Sequence, residues 1–258
     1  MKKFTVVARP DEKSEELEKV IETKLVEHGF VRDDEHPKTV IVVGGDGTFI
    51  YAVHKFIDQL QDVRFFGLHR GTLGFYSDYR DCELDDFLDV LIHDTGKEEI
   101  LSVLRGEVNG KRYYALNEIR IENVARTQVL NVEINGVELE TFRGTGMSVC
   151  TQLGSTAYNR SLGGAIIQDG LDLIEMAEIS GIHHSKYRSL SAPIVLKSDS
   201  VIRFDSESFD GAILGVDSEV YVLDKDTTSI EIKVCSQRHI KVLRGKKVSY
   251  FDRLKMLY

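Results

Sequence analysis

A chain of 258 residues, 42% hydrophobic and 29% charged, is long enough for one large domain or two modest ones, each with its own core. Its 3 prolines and 21 glycines exclude a fibrous or largely disordered chain, and a net charge of −9 sets nonspecific binding to nucleic acid or anionic membrane aside. Cys82, Cys150 and Cys235 are widely spaced and in no CxxC arrangement, which argues against a disulfide framework or zinc site and points to a reducing cytoplasm.

The first apolar run, Phe4–Ala8, has the length of a strand and is too short for a signal peptide. No apolar stretch approaches the roughly 18 residues of a membrane span. Leu17, Val20, Ile21, Leu25 and His28 then fall at helical spacing, closed by Gly29. Thr39–Val43 is a β-branched run, hence a buried strand. Phe49, Ala52, Val53, Phe56, Ile57 and Leu60 follow at the spacing of one face of a single helix. Val63–Leu68 reads as a strand and residues 83–93 as an amphipathic helix. This alternation predicts an α/β domain over residues 1–100 with a parallel, Rossmann-like sheet.

Beyond residue 100 the pattern changes. Asn109-Gly110 separates Ile100–Val108 from Lys111–Ile121, and Asn135-Gly136 separates Val129–Ile134 from Val137–Phe142. Both read as hairpins, because Asn-Gly supplies the positive φ angles of a tight type I′ turn. Short strands follow at 174–182, 193–196, 200–205, 212–216, 219–223 and 229–234. They predict a β-rich, mostly antiparallel second domain over 101–239. The tail 240–258 is basic and aperiodic and is expected to pack back on the first domain. No repeat or low-complexity segment is visible.

Chemistry concentrates in four segments. Gly44-Gly45-Asp46-Gly47-Thr48 stands between the strand Thr39–Val43 and the next helix. Such a junction leaves amide N–H groups unpaired at the positive end of a helix dipole, where phosphate binds. It is neither a Walker loop, since no GxxxxGK[ST] is present, nor GxGxxG, since Ile50 replaces the last glycine. A carboxylate repels phosphate, so Asp46 has a purpose there if it takes a proton from an attacking hydroxyl. The same residues also fit a tight turn in which Asp46 or Thr48 caps the helix. Gly71-Thr72-Leu73-Gly74-Phe75-Tyr76 follows a strand, with Phe75 and Tyr76 as an aromatic wall or simply a connecting loop. Asn117-Glu118 ends or interrupts a strand; the pair suits an adenine edge and a ribose diol, or a solvated edge. Gly154-Ser155-Thr156-Ala157-Tyr158 and the following Asn159, Arg160 and Ser161 combine small residues with hydroxyls, for a ligand or for a helix cap. The eight histidines show no ligand spacing, so no protein-built metal site is expected, and His183-His184 read as structural or surface residues.

Taken together and in this order, GGDGT at 44–48, GTLGF at 71–75, NE at 117–118 and GSTAY at 154–158 resemble the NAD kinase family over roughly residues 39–225. Lipid kinases and phosphofructokinases carry loops similar to GGDGT alone; the combination is specific. The resemblance implies an ATP- or polyphosphate-dependent kinase that phosphorylates NAD to NADP, with Mg²⁺ arriving on the triphosphate, in a homo-oligomer such as a dimer or tetramer. It implies Asp46 as the base facing the ribose 2′-hydroxyl, and Gly44, Gly45 and Gly47 along the phosphates. Phe75 would pack near the adenine, and Asn117 and Glu118 would hold NAD. Thr156, Ala157, Tyr158 and Ser161 would contact adenine and ribose, with Asn159 and Arg160 in the same segment, and Arg143, Thr145 and Ser180 as further contacts. The chain departs from the family pattern at Thr145, where an aspartate is usual, at Gln152-Leu153 before GSTAY, and at Gln168-Asp169 after the glycine pair. Two other readings compete: a lipid or sugar kinase, which leaves NE and GSTAY unexplained, and a non-catalytic NAD(P)-binding protein, which leaves Asp46 unexplained.

Overall fold

The computed structural model describes residues 2–71, 74–182 and 187–257. Thr72 and Leu73 of the second glycine-rich segment, and His183-His184, lie outside the described residues. The chain divides into two units, Met1–Leu101 with Arg238–Tyr258, and Ser102–Gln237.

The first unit holds β1 (Lys3–Ala8), α1 (Glu12–Glu27), β2 (Val31–Arg32), β3 (Thr39–Gly44), α2 (Asp46–Lys55), β4 (Arg64–His69), β5 (Ser77–Arg80) and α3 (Leu84–His93). Its strands pair in parallel in the order β2-β1-β3-β4, with β5 also on β4. β3 is buried at all six positions, so its sequence TVIVVG runs apolar instead of alternating. Asp11 caps α1 by accepting from the Ser14 amide at 3.1 Å, and Gly29 closes the segment at φ +78°. The helical face expected to continue to Leu60 is broken: α2 stops at Lys55 and one 3₁₀ turn covers Ile57–Gln59, while Phe56 and Leu60 remain buried. Phe66 of β4 stacks on Phe87 of α3 at 4.1 Å within a core that also includes Phe4, Ile21, Leu25 and Ile41. Residues 238–257 complete this unit. Lys241–Val242 pairs in parallel with Arg64–Phe65, and a C-terminal helix covers Tyr250–Lys255.

The second unit begins within β6 (Lys97–Val108), which forms a hairpin with β7 (Lys111–Ala115). In chain order follow β8 (Glu118–Glu122), β9 (Gln128–Ile134), β10 (Val137–Gly144), β11 (Gly146–Thr151), α4 (Tyr158–Ser161), β12 (Leu173–Ile179), β13 (Ile194–Lys197), β14 (Ile202–Asp205), β15 (Ile213–Val216), β16 (Glu219–Val222) and β17 (Ser229–Arg244). Asn109 and Gly110 stand at φ +50° and +76°, Asn135 and Gly136 at +54° and +81°, so both Asn-Gly pairs make the turns their chemistry favours. One antiparallel sheet runs β13-β12-β11-β8-β15-β16; β10-β9-β14-β17 form a second antiparallel group. Leu130, Phe142, Phe204 and Ile232 of the second group share a core with Ile121, Val149, Met176 and Leu214 of the first. The strand expected over Lys111–Ile121 divides at Leu116-Asn117: β7 pairs with β6, whereas β8 joins β11 and β15. The strand expected over 174–182 ends at Ile179, because Ser180 adopts φ +47°. Among the described residues no helix is long and apolar enough to cross a membrane.

Candidate active site

In the first unit β3 hands over to α2 within the glycine-rich segment. Gly45 is the N-cap and makes no side-chain cap bond, so neither Asp46 nor Thr48 serves as the cap that a simple turn would require. Asp46 is the first helical residue. Its Oδ2 accepts from the Phe75 amide at 3.1 Å and its Oδ1 from the Tyr76 amide at 3.4 Å. A Cβ on Gly74 would lie 2.2 Å from Asp46 Oδ1, so only glycine lets this second loop press against the carboxylate. GGDGT and the Gly74-Phe75 end of the second motif therefore meet at Asp46. Gly47 is exposed, with open space where a Cβ would go. A backbone left bare at a helix N-terminus is suited to an incoming phosphate.

The aromatic wall expected from Phe75 and Tyr76 is turned inward. Phe75 is 7% exposed and edge-on to Tyr250; Tyr76 is 3% exposed and stacks on Phe49 at 4.8 Å. Behind them lies a buried ionic group that sequence reasoning missed. Arg253 Nη1 donates to the carbonyls of Gly74, Phe75 and Ser77, and its Nη2 to the fully buried Asp78, which Arg244 also contacts.

In the second unit Asn117, Glu118 and the GSTAY segment are locked together. The Asn117 carbonyl accepts from the Thr151 amide at 2.8 Å, and Thr151 Oγ1 donates to the Leu116 carbonyl while accepting from the Gly154 amide. A Cβ on Gly154 would sit 2.1 Å from the Asn117 carbonyl oxygen, so the motif's first residue must be glycine for the two segments to touch. Asp217, in the turn after β15, accepts from the amides of Leu116, Asn117 and Glu118 at 2.7 to 3.2 Å and fixes the backbone of the NE pair. Arg120 spans the group. It donates to Glu118 Oε1 at 2.7 Å, pairs with Glu122 at 3.5 Å and lies 4.8 Å from the Tyr158 ring centre, and the Tyr158 hydroxyl donates to Glu122. Glu118 Oε2 is buried and has no hydrogen-bond partner among the described residues. Burial first, then the nearby Asp217 and Glu122, push the Glu118 carboxyl up to about 7 against the opposing pull of Arg120. Burial and Glu122 likewise raise the Tyr158 hydroxyl.

Other residues of the motif face inward. Thr156 Oγ1 donates to the Leu153 carbonyl, and Asn159 Nδ2 to the fully buried Glu175 at 2.9 Å and to the Ala165 carbonyl. Ala157 is half-buried between the 3₁₀ turn and α4, while Arg160 and Ser161 are exposed on α4. Arg143, Thr145 and Ser180 lie around the start of β11. The Thr145 amide donates to the Ile179 carbonyl, Arg143 lies 5.3 Å from the Tyr187 ring centre, and Ser180 is an exposed left-handed residue, not part of the strand. Thr145 adjoins the Glu122 end of the Arg120 group, because its carbonyl accepts from the Asn123 amide at 2.8 Å and Gly146 pairs with Glu122, whereas Asn117 contacts the opposite end of β11. Gly144 and Gly146 around Thr145 are explained by close packing: their Cβ atoms would lie 2.6 Å from the Ser180 carbonyl and 1.7 Å from the Ile121 carbonyl.

The family model described as the ATP-NAD kinase C-terminal domain matches residues 116–244. The NAD kinase of Streptococcus pneumoniae strain Hungary19A-6 is 36% identical over 259 aligned residues, covering 98% of this chain and 95% of its own length. The NAD kinase of Latilactobacillus sakei subsp. sakei strain 23K is 34% identical, covering 98% of this chain and 96% of its own. In fold, the chain is similar to yeast NADH kinase complexed with NADH, with TM-score 0.78, 20% identity and coverage of 99% of this chain and 86% of that one. It is similarly close to an NAD kinase from Archaeoglobus fulgidus in complex with ATP, with TM-score 0.77, 22% identity and coverage of 99% and 98%.

Proposed function

This chain belongs to the NAD kinase family, and on that premise we propose that it transfers the terminal phosphoryl group of ATP to the 2′-hydroxyl of the adenosine ribose of NAD, forming NADP. The observation that carries the mechanism is the Asp46 carboxylate, held by the amides of Phe75 and Tyr76 at the head of α2. A structural turn has no need of a carboxylate gripped in this way beside a bare glycine backbone. In the reaction Asp46 accepts the proton of the ribose hydroxyl, the oxygen's electron pair forms the new bond to phosphorus, and the bond to the bridging oxygen breaks, releasing ADP. Gly45 and Gly47 line the phosphates, whereas Gly44, buried at the end of β3, is glycine because a Cβ there would lie 2.4 Å from Thr48 Oγ1. Asn117, Glu118 and Tyr158 hold NAD, with the unpartnered Oε2 of Glu118 as acceptor for a sugar hydroxyl.

Mg²⁺ enters this proposal with the triphosphate, where it neutralises developing charge. Inorganic polyphosphate is the alternative donor. We also place the protein in the cytoplasm as a homo-oligomer. Three free cysteines fit the first, and Val220 and Val222, 58% and 79% exposed on the edge strand β16, support the second. A single-chain mass in solution would count against the oligomer.

The decisive experiment is Asp46→Asn, assayed for NADP formation with ATP and with polyphosphate, with and without Mg²⁺. Turnover is expected to fall by about two orders of magnitude or more while nucleotide binding persists. A variant within a few-fold of wild type would remove the general-base role, and phosphorylation of a lipid or sugar with NAD untouched would remove the assignment.

A further inference from the structure

The two amides that grip Asp46 belong to two consecutive peptide planes. The Phe75 N–H shares its plane with the Gly74 carbonyl, and the Tyr76 N–H with the Phe75 carbonyl. Both carbonyls accept from one atom, Arg253 Nη1, at 3.1 Å each, while the N–H ends reach Asp46 at 3.1 and 3.4 Å. Each plane therefore lies with its oxygen on a guanidinium and its N–H on a carboxylate. In a buried setting such chains of hydrogen bonds polarise one another. Neither plane can rotate away from Asp46 without also breaking its bond to Arg253.

The guanidinium is itself fixed. Arg253 is 7% exposed, donates also to the Ser77 carbonyl at 2.8 Å, and pairs with Asp78, which is 1% exposed and accepts from Arg244 and the Gly245 amide. Ser249 caps its helix by accepting from the Asp252 amide, and Tyr250 lies edge-on to Phe75. A lysine at this position would keep the charge but lack the planar fork that serves three carbonyls and a carboxylate together.

We propose that Arg253 is a positioning residue: it orients the Asp46 carboxylate through the two peptide planes of Gly74-Phe75 and Phe75-Tyr76. The proposal rests on the reading of Asp46 as the base. It places in the C-terminal helix a determinant of turnover that touches neither NAD nor ATP.

The test is a double-mutant cycle in the full-length protein with Arg253→Lys, Asp46→Asn and the pair, measuring kcat and KM for NAD and for ATP. Arg253→Lys alone is expected to lower kcat about ten- to a hundredfold with both KM values within about threefold, the scale of a misplaced catalytic group. In the Asp46→Asn background the same change is expected to do nothing further to kcat, because its only route is gone. An equal loss in both backgrounds would make Arg253 a general structural residue and overturn the proposal. A near-normal Asp46→Asn would instead sink the base assignment, so the two failures differ. If Arg253→Lys does not fold, Arg253→Met with Asp78→Leu removes both charges of the buried pair and enters the same cycle. Failure of both to fold would assign Arg253 to stability alone and also overturn the proposal.

Discussion

Glu118→Gln isolates the strongest electrostatic feature of the candidate site. Glu118 is 4% exposed, and burial with Asp217 and Glu122 nearby carries its carboxyl from the ordinary 4.5 to about 7 in the folded chain. The folded state thus holds this proton more tightly than the unfolded one. The stability it contributes is fully present below about pH 4.5 and is lost as the pH rises toward about 7. A shift of this size corresponds to about 3 kcal/mol at most once ionisation is complete, at about 1.4 kcal/mol per pH unit. Glutamine fills the same space without titrating, and Arg120 keeps Glu122 and the Asp217 carbonyl as partners. The assay is urea unfolding of wild type and variant at half-unit steps from pH 4.5 to 8.5. The difference in unfolding free energy, variant minus wild type, should climb through the window from pH 4.5 to 7 and then level off. Other groups titrate alike in both chains and cancel. A flat difference, or one that falls with pH, would refute the reasoning. The same ionisation bears on the ligand: a sugar hydroxyl donating to Oε2 favours the carboxylate, so KM for NAD should drop in wild type as the pH passes about 7 and stay level in the variant.

Two glycines separate space needed for folding from space needed for a ligand. Gly154→Ala places a methyl 2.1 Å from the Asn117 backbone, which cannot move without disturbing the Thr151 bond, so the denaturation midpoint should fall by the equivalent of about 1–3 kcal/mol or more; an unshifted midpoint would show that the two segments are not in contact. Gly47→Ala meets nothing within 4 Å and lies in the first turn of α2, so the fold should be unharmed or gain about 0.5–1 kcal/mol. If phosphates run over that glycine, KM for ATP should nevertheless rise severalfold, and unchanged kinetics would move the phosphates elsewhere.

Much of the fold was legible because its signals are local. β3 is apolar at nearly every position because both faces are covered, and the two Asn-Gly turns supply positive φ angles within the dipeptide itself. What stayed hidden depends on pairs far apart in sequence. Asp217 fixes the NE backbone across about a hundred positions, yet in the sequence it is only a polar residue between two short strands. Arg253 sits in an aperiodic basic tail, and the partners that explain it are backbone carbonyls, which leave no mark in residue type. The motif residues were legible as a group but not in their individual tasks. Asn159 and Thr156 look equally fit for a ligand, and only the positions of Glu175 and the Leu153 carbonyl show that Asn159 Nδ2 and Thr156 Oγ1 are used inside the fold.

The two units also differ in what they offer a ligand, and this resolves the apparent conflict between a net charge of −9 and a polyanionic substrate. The first unit presents N–H donors at the head of α2, with glycines that let oxygen atoms come close and a single carboxylate among them. Backbone donors attract phosphate without adding a formal charge. The second unit presents the reverse, a cluster of acceptors formed by Glu118, Glu122 and Asp217 around Arg120, with one carboxylate oxygen lacking a partner. Acceptors suit sugar hydroxyls and the amino group of a base, and repel phosphate. On the proposed assignment the acceptors of the second unit suit the sugar hydroxyls and base of a dinucleotide, whereas phosphate oxygens, of dinucleotide and donor alike, suit the backbone donors of the first. Removing the charge at Glu118 should therefore disturb NAD far more than ATP, and burdening the backbone at Gly47 should do the opposite.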